Sequence, residues 1–442
     1  MTYFCELHML ISCIRAIQEA LWGLPMLLAL FATHLYFTIR LRFIQKKIPQ
    51  GIYMSFSKKG QGEGNISPFS ALATALAATI GTGNIIGIST AIAIGGPGAI
   101  FWCWVTGVFG IATCYAECFL AVKFRIRNAD GTYVGGPMYV MEHVLHQKSA
   151  AVLFALAAVL VSFGMGSSVQ SHSIASAIEE HLQISPGFIG ICLAFLSGVV
   201  ILGGAEQITK VCTCLVPFMS VFFLGGCFFL IWMNRDVFFE TVRVIVSSAF
   251  SSRSVVGGVV GTAVMTGLRI GISRGLFTSE AGLGSIPISA AAARTESPYR
   301  QSLVSMTGVF WDTVVMCAVT GIAIVSCMLK EPELYQSAAE DRLCFLAFSN
   351  LPFWGSEMLS VSLVLFAFAT IIGWSYYGEC AVQYLGKGRG RSLYKVLYIC
   401  FVFGGTVLPL QAVWGMSDLF NSLMTIPNLI CLWMLRKCVI SK

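Results

Sequence analysis

Charge is what this sequence has least of. Only 11% of its 442 residues are Asp, Glu, Lys or Arg, against about 25% in a soluble domain. So few charges cannot cover the surface of one or two water-facing globules. With 56% apolar residues and a mean hydropathy of +0.79, a soluble enzyme is excluded. Disorder is excluded as well, because disordered chains are poor in aromatics and here aromatics make up 12%. Metal and thiol motifs are also missing. None of the 16 cysteines forms a CxxC pair, and most lie inside apolar runs, as small buried hydrophobes do. His143 and His146 have no Cys or carboxylate cluster beside them and read as a loop or interfacial pair. Residues 1–19 hold Glu6, Arg15 and Glu19 and lack a small-residue cleavage site. They read as an N-terminal interfacial segment rather than a removable signal. The net charge of +7 is then loop charge, and no nucleic-acid partner is expected. What remains is an all-α polytopic membrane protein.

A bilayer core about 30 Å thick needs about 20 apolar residues per helix. Charge-free stretches cover 20–39, 64–116, 149–178, 182–205, 211–234, 358–378, 396–417 and 419–435. As one helix the second would be roughly 80 Å long. It is expected to turn back at Gly95-Gly96-Pro97-Gly98. Spans over 255–288 and 301–329, the latter interrupted by Asp312, bring the expectation to eleven transmembrane helices. Placing the first span with an outside start puts twenty of the 28 basic residues on the inner side and six on the outer side; Arg269 and Arg274 fall within a span. That asymmetry predicts an outside amino terminus and a cytoplasmic carboxyl terminus in a multi-pass plasma membrane protein of bacterial type. The lipid bilayer is its first expected partner.

With the first helix set aside, ten remain, divisible into five and five. Both leading helices are interrupted, one at Gly81-Thr82-Gly83-Asn84 and the other within Gly275 to Gly284. Unwound backbone in lipid is tolerated only where it faces a cavity or a ligand. Interruptions at corresponding positions of two halves point to a transporter's central site. Half-helix amino termini suit a carboxylate, and freed carbonyls, Thr hydroxyls and the Asn84 oxygen suit a hard cation such as sodium. The alternative, that these glycines only allow close helix packing, stays open at this point. Gly203-Gly204 and Gly404-Gly405, near helix ends or faces, read as packing.

Thr74-Ala75-Leu76-Ala77-Ala78 followed by Gly81-Thr82-Gly83-Asn84-Ile85 resembles the signature of the alanine or glycine:cation symporter family. So do Gly135-Gly136-Pro137-Met138-Tyr139, Arg274-Gly275-Leu276-Phe277 with Glu280-Ala281-Gly282, Gly373-Trp374-Ser375, and Ile426-Pro427-Asn428. The resemblance spans nearly the whole chain. It implies the amino acid–polyamine–cation transporter superfamily, with one extra helix (20–45), inverted repeats over 66–234 and 254–438, and a single transporter domain over 20–442. It also implies sodium-coupled import of alanine or glycine, with sodium as coupling ion and no cofactor. Substrate contacts would fall on Thr82, Gly83, Gln170, Phe277, Thr278 and Ser279, and sodium contacts on Gly81, Asn84 and Thr370. Ser279, Leu283, and Ser168-Val169 depart from the residues many members carry there.

Charged groups within spans are costly and are functional candidates by default. Asp312 is expected to pair with Arg269 or Arg274, or else to sense the cation. Glu280 is expected to cap the inner half-helix, Phe277 to stand inside the second break, and Glu117 and Glu379 to be interfacial. A proton-coupled carrier is the closest rival function, with Asp312 as its titrating group; a passive channel is further off. No nucleophile–base pair supports a membrane enzyme.

Overall fold

The computed structural model describes residues 23–56, 62–128, 131–250, 262–336, 338–408 and 410–440. The expected interfacial segment 1–19 lies outside the described residues, as does the start of the span expected over 255–288.

Helices α1 (Leu24–Arg40) and α2 (Ile48–Phe56) precede α3 (Pro68–Thr79), α4 (Ile86–Gly95) and α5 (Gly98–Lys123). After a two-stranded hairpin, β1 (Ile126–Arg127) with β2 (Tyr133–Val134), come α6 (Pro137–His143), α7 (Lys148–Val161), α8 (Val169–Leu182), α9 (Pro186–Leu202), α10 (Gly204–Met233) and α11 (Phe238–Phe250). The second part holds α12 (Thr262–Ser279), α13 (Ile286–Ala291), α14 (Pro298–Val309), α15 (Ala318–Lys330), α16 (Leu343–Ser349), α17 (Gly355–Leu385), α18 (Arg391–Val407) and α19 (Leu410–Met434).

Local chemistry sets the helix starts. α3 and α14 both open on Ser-Pro. The Ser67 hydroxyl accepts the Ser70 N–H at 3.0 Å and the Ser297 hydroxyl the Arg300 N–H at 3.2 Å, while proline at the first helical position loses no hydrogen bond. The chain does reverse at 95–98. Gly96 sits at φ +71°, which suits a residue without Cβ.

Each apolar stretch of the sequence meets a helix. By length and composition alone, five helices among the described residues can cross a bilayer, or seven when two bent pairs are each taken as one span. Those pairs are α1 with Ile44–Phe56, bent by 67°, and α3 with Thr82–Gly95, bent by 61°.

Two long helices are not α-helical throughout. Ser162–Ser168 joins α7 to α8, and Phe310–Cys317 joins α14 to α15, both as π-helix. A π stretch turns successive side chains out of α-register and often marks functional positions. The sequence reading did not foresee either. Packing falls into two groups: α12 lies on α4 and α5, with α14 on α5, while α17 lies on α7 and α8, with α18 on α9. α3 and α10 both pack on α17, and α1 covers α5.

Candidate functional site

The first break lies where the glycines predicted it. α3 ends at Thr79, Ile80 and Gly81 are extended, a short 3-10 turn spans Thr82–Asn84, and α4 resumes at Ile86. Asn84 holds the kink from inside. Its Oδ1 accepts the Gly81 N–H at 3.0 Å, and its Nδ2 donates to Asp312 Oδ1 at 2.8 Å and toward Cys317 Sγ at 3.3 Å. Asn84 and Asp312 are fully buried.

Asp312 thus meets Asn84 at the break, and its second oxygen accepts the Thr313 hydroxyl at 2.7 Å. It sits in the π stretch Phe310–Cys317 and faces the break.

Thr370 and Gln170 close over Gly81 from α17 and α8. A Cβ on Gly81 would stand 2.6 Å from Thr370 Oγ1 and 3.7 Å from Gln170 Oε1. The residue must be glycine for backbone and hydroxyl to come so near. Thr370 Oγ1 donates to Phe366 O at 3.0 Å and approaches the carbonyl of Ile80, freed by the break, at 3.4 Å. Gln170 Nε2 donates to Met165 O at 3.2 Å, but its Oε1 has no partner although the residue is only 4% exposed. A buried acceptor left open beside unwound backbone is a place for a donor to bind.

The second break differs from the expectation. α12 stays helical through Ser279, so Phe277, Thr278 and Ser279 form its last turn and are not unwound. The interruption runs from Glu280 to Ser285, with Glu280, Gly282 and Gly284 all at positive φ (+50°, +94° and +88°). The glycines that permit the turn come later than the residues matched to the site. Phe277 is thus half-buried on a helix face rather than inside a break. Glu280 accepts the hydroxyl of Ser285, the residue that opens α13.

The first break touches the last turn of α12. A Cβ on Gly83 would lie 3.0 Å from Thr278 Cγ2, and Ser279 is fully buried beside it in sequence. Thr82, Asn84, Gln170, Thr278, Ser279 and Thr370 are all buried, while Gly83 and Phe277 are partly exposed. Ser168 turns away, toward the carbonyls of Phe163 and Phe401.

Glu117 and Glu379, expected near the interface, are both enclosed by protein, each 3% exposed. Glu379 pairs with Arg391 at 2.6 Å and Lys395 at 3.4 Å. Glu117 is enclosed because α5 is packed by α1, α12 and α14, and it accepts from Asn428 at 2.6 Å. Among the described residues no group of three His, Cys, Asp or Glu side chains could hold a metal.

Helix ends converge on the first break. The amino terminus of α4 directs a partial positive charge at Gly81–Asn84, while the carboxyl ends of α3 and α12 bring partial negative charge from the other directions. Hydroxyl, amide and carbonyl oxygens supply neutral ligands for a hard cation.

The sodium:alanine symporter family profile matches residues 7–442. An uncharacterized transporter of Haemophilus influenzae is 43% identical over 98% of this chain and 95% of its own length. The sodium/alanine symporter AgcS of Methanococcus maripaludis is 42% identical over 98% and 96%. Among solved structures, MhsT in complex with L-phenylalanine superposes with a TM-score of 0.61 at 12% identity, over 84% of this chain and 89% of that one, a likeness of fold alone. With a profile match over almost its full length and relatives aligned end to end, this multi-pass membrane chain is a transporter, not an enzyme, and belongs to the sodium:alanine symporter family.

Proposed function

We propose that this protein is a sodium-coupled symporter that imports a small neutral amino acid, alanine or glycine, by alternating access. The observation that carries the reading is the meeting of the two interrupted helices, Gly83 against Thr278, with the unpartnered Gln170 oxygen beside Gly81. The substrate carboxylate lies at the amino terminus of α4, against Thr82 and Gly83. Its ammonium faces Gln170 Oε1 and the carboxyl end of α12 at Thr278 and Ser279. Phe277 closes over the small side chain. Sodium takes oxygens from the freed backbone at Ile80–Gly81, from Asn84 and from Thr370. In this conformation Asn84 Oδ1 already accepts Gly81 N–H, so its second lone pair faces the ion.

Eleven spans, five-plus-five inverted repeats and a cytoplasmic carboxyl terminus complete the proposal. The helices on every apolar stretch and the sequence's basic asymmetry support it. Membership of the family whose relative AgcS is named a sodium/alanine symporter supports the ion and the substrate.

A second reading, proton coupling, draws on Asp312, a carboxyl group fully buried beside the first break and hydrogen-bonded by Asn84 and Thr313. Alanine binding to the purified protein, measured against sodium at fixed pH and against pH without sodium, separates the two. Affinity that rises with sodium supports the proposal; affinity that ignores sodium and tracks pH replaces it.

A further inference from the structure

Asn428 belongs to neither interrupted helix, yet it grips one of them. On α19 and 2% exposed, it uses Nδ2 twice, donating to Glu117 Oε1 on α5 at 2.6 Å and to the carbonyl of Gly282 at 2.8 Å. Gly282 is the middle of the turn that breaks the second helix. That turn has Glu280 at φ +50°, Gly282 at +94° and Gly284 at +88°. A non-glycine residue in left-handed conformation persists only where its surroundings over-determine it. Here they do. A methyl at Gly282 would run into Leu30 of α1, and one at Gly284 would come within 2.8 Å of Pro137 Cγ and 2.9 Å of Asn428 Cγ.

The turn also connects directly to the site. Glu280 N–H donates to Leu276 O at 3.2 Å and Leu283 N–H to Glu280 O at 3.1 Å, so the turn continues the last turn of α12 that bears Phe277, Thr278 and Ser279. Thr278 in turn abuts Gly83. A carboxamide alone is free to rotate about its terminal torsion. Glu117 limits that freedom by accepting one N–H, which aims the other at Gly282; the same carboxylate also faces the backbone N–H groups of Gly282 and Gly284.

We propose that Asn428, oriented by Glu117, is a positioning residue for the substrate site: its second N–H fixes the Gly282 carbonyl and so sets the end of α12 against the Gly81–Asn84 break. It touches no substrate. The inference rests on the reading that substrate binds between the two breaks, and its test includes an arm independent of any substrate.

The variants are N428A, N428D, E117A and E117Q in the full chain. Asp keeps the shape of Asn but has no N–H to donate; Gln at 117 keeps an oxygen that accepts. Hydrogen–deuterium exchange of the backbone amides at 280–285 is expected to quicken about tenfold in N428A, N428D and E117A, the worth of one buried hydrogen bond. E117Q is expected to return exchange toward the wild-type rate. In alanine uptake the same three variants are expected to raise KM about tenfold with kcat held within about twofold, and E117Q to restore KM. Wild-type exchange in N428D, or a fall in kcat with KM unchanged, overturns the inference. If N428A and N428D fail to fold, N428L, which fills the same space without a donor and adds no charge, takes their place in both readouts. A wild-type protein that does not take up alanine defeats the proposed function, while the exchange arm still decides the role of Asn428.

Discussion

The unpartnered oxygen of Gln170 and the doubly engaged side chain of Asn84 are the residues on which the site turns. Removing Asn84 leaves Gly81 N–H and the buried Asp312 without their partner, and breaking a buried polar network costs about 1–3 kcal/mol per unsatisfied group. Removing Gln170 takes away an unpartnered acceptor and one hydrogen bond, from Nε2 to Met165 O. Asn84→Ala and Gln170→Ala are therefore both expected to abolish alanine uptake while still folded, with Asn84→Ala melting lower than Gln170→Ala. Normal uptake by both variants contradicts the site. The sequence showed Asn84 as polar within a glycine cluster, and the family resemblance pointed to Gln170. Nothing in the sequence showed Asp312 facing Asn84, because it sits in a π stretch, which has no composition of its own.

Among elements, the interrupted helices divide instructively. Gly81 and Gly83 mark the first break directly, since unwinding falls on the glycines themselves. In the second, Gly275 lies within intact helix, where a Cβ would stand only 2.9 Å from Cys103 O. Only Gly282 and Gly284 serve the turn. A glycine used for helix contact and a glycine used for positive φ look alike in a sequence, and this is why the expected break began too early. Gly282→Ala combines an unfavourable φ with a clash against Leu30, and it is expected to destabilise by about 2 kcal/mol or more. Gly96→Ala meets no neighbouring atom, bears only the φ penalty, and is expected to melt nearer to wild type. Equal melting temperatures for Gly282→Ala and wild type in thermal unfolding in detergent contradict this assignment.

For the whole molecule, scarcity of charge revealed the membrane class, and the family resemblance agrees with relatives aligned over nearly the full chain. The eleven-span, two-repeat reading remains part of the proposal, and labelling tests its orientation. Gly388→Cys is expected to react with an impermeant thiol reagent only from the cytoplasmic side, and Glu333→Cys only from the outside. The reverse pattern inverts the topology. Coupling can also be sized. One sodium ion entering down about 100 mV releases about 2.3 kcal/mol and a tenfold gradient about 1.4 more, enough for roughly 500-fold accumulation. The most direct measurement is uptake of labelled alanine into vesicles holding the purified protein, with and without an inward sodium gradient. Concentrative uptake that collapses when sodium is replaced is the predicted result; equal uptake under both conditions would contradict sodium-coupled symport.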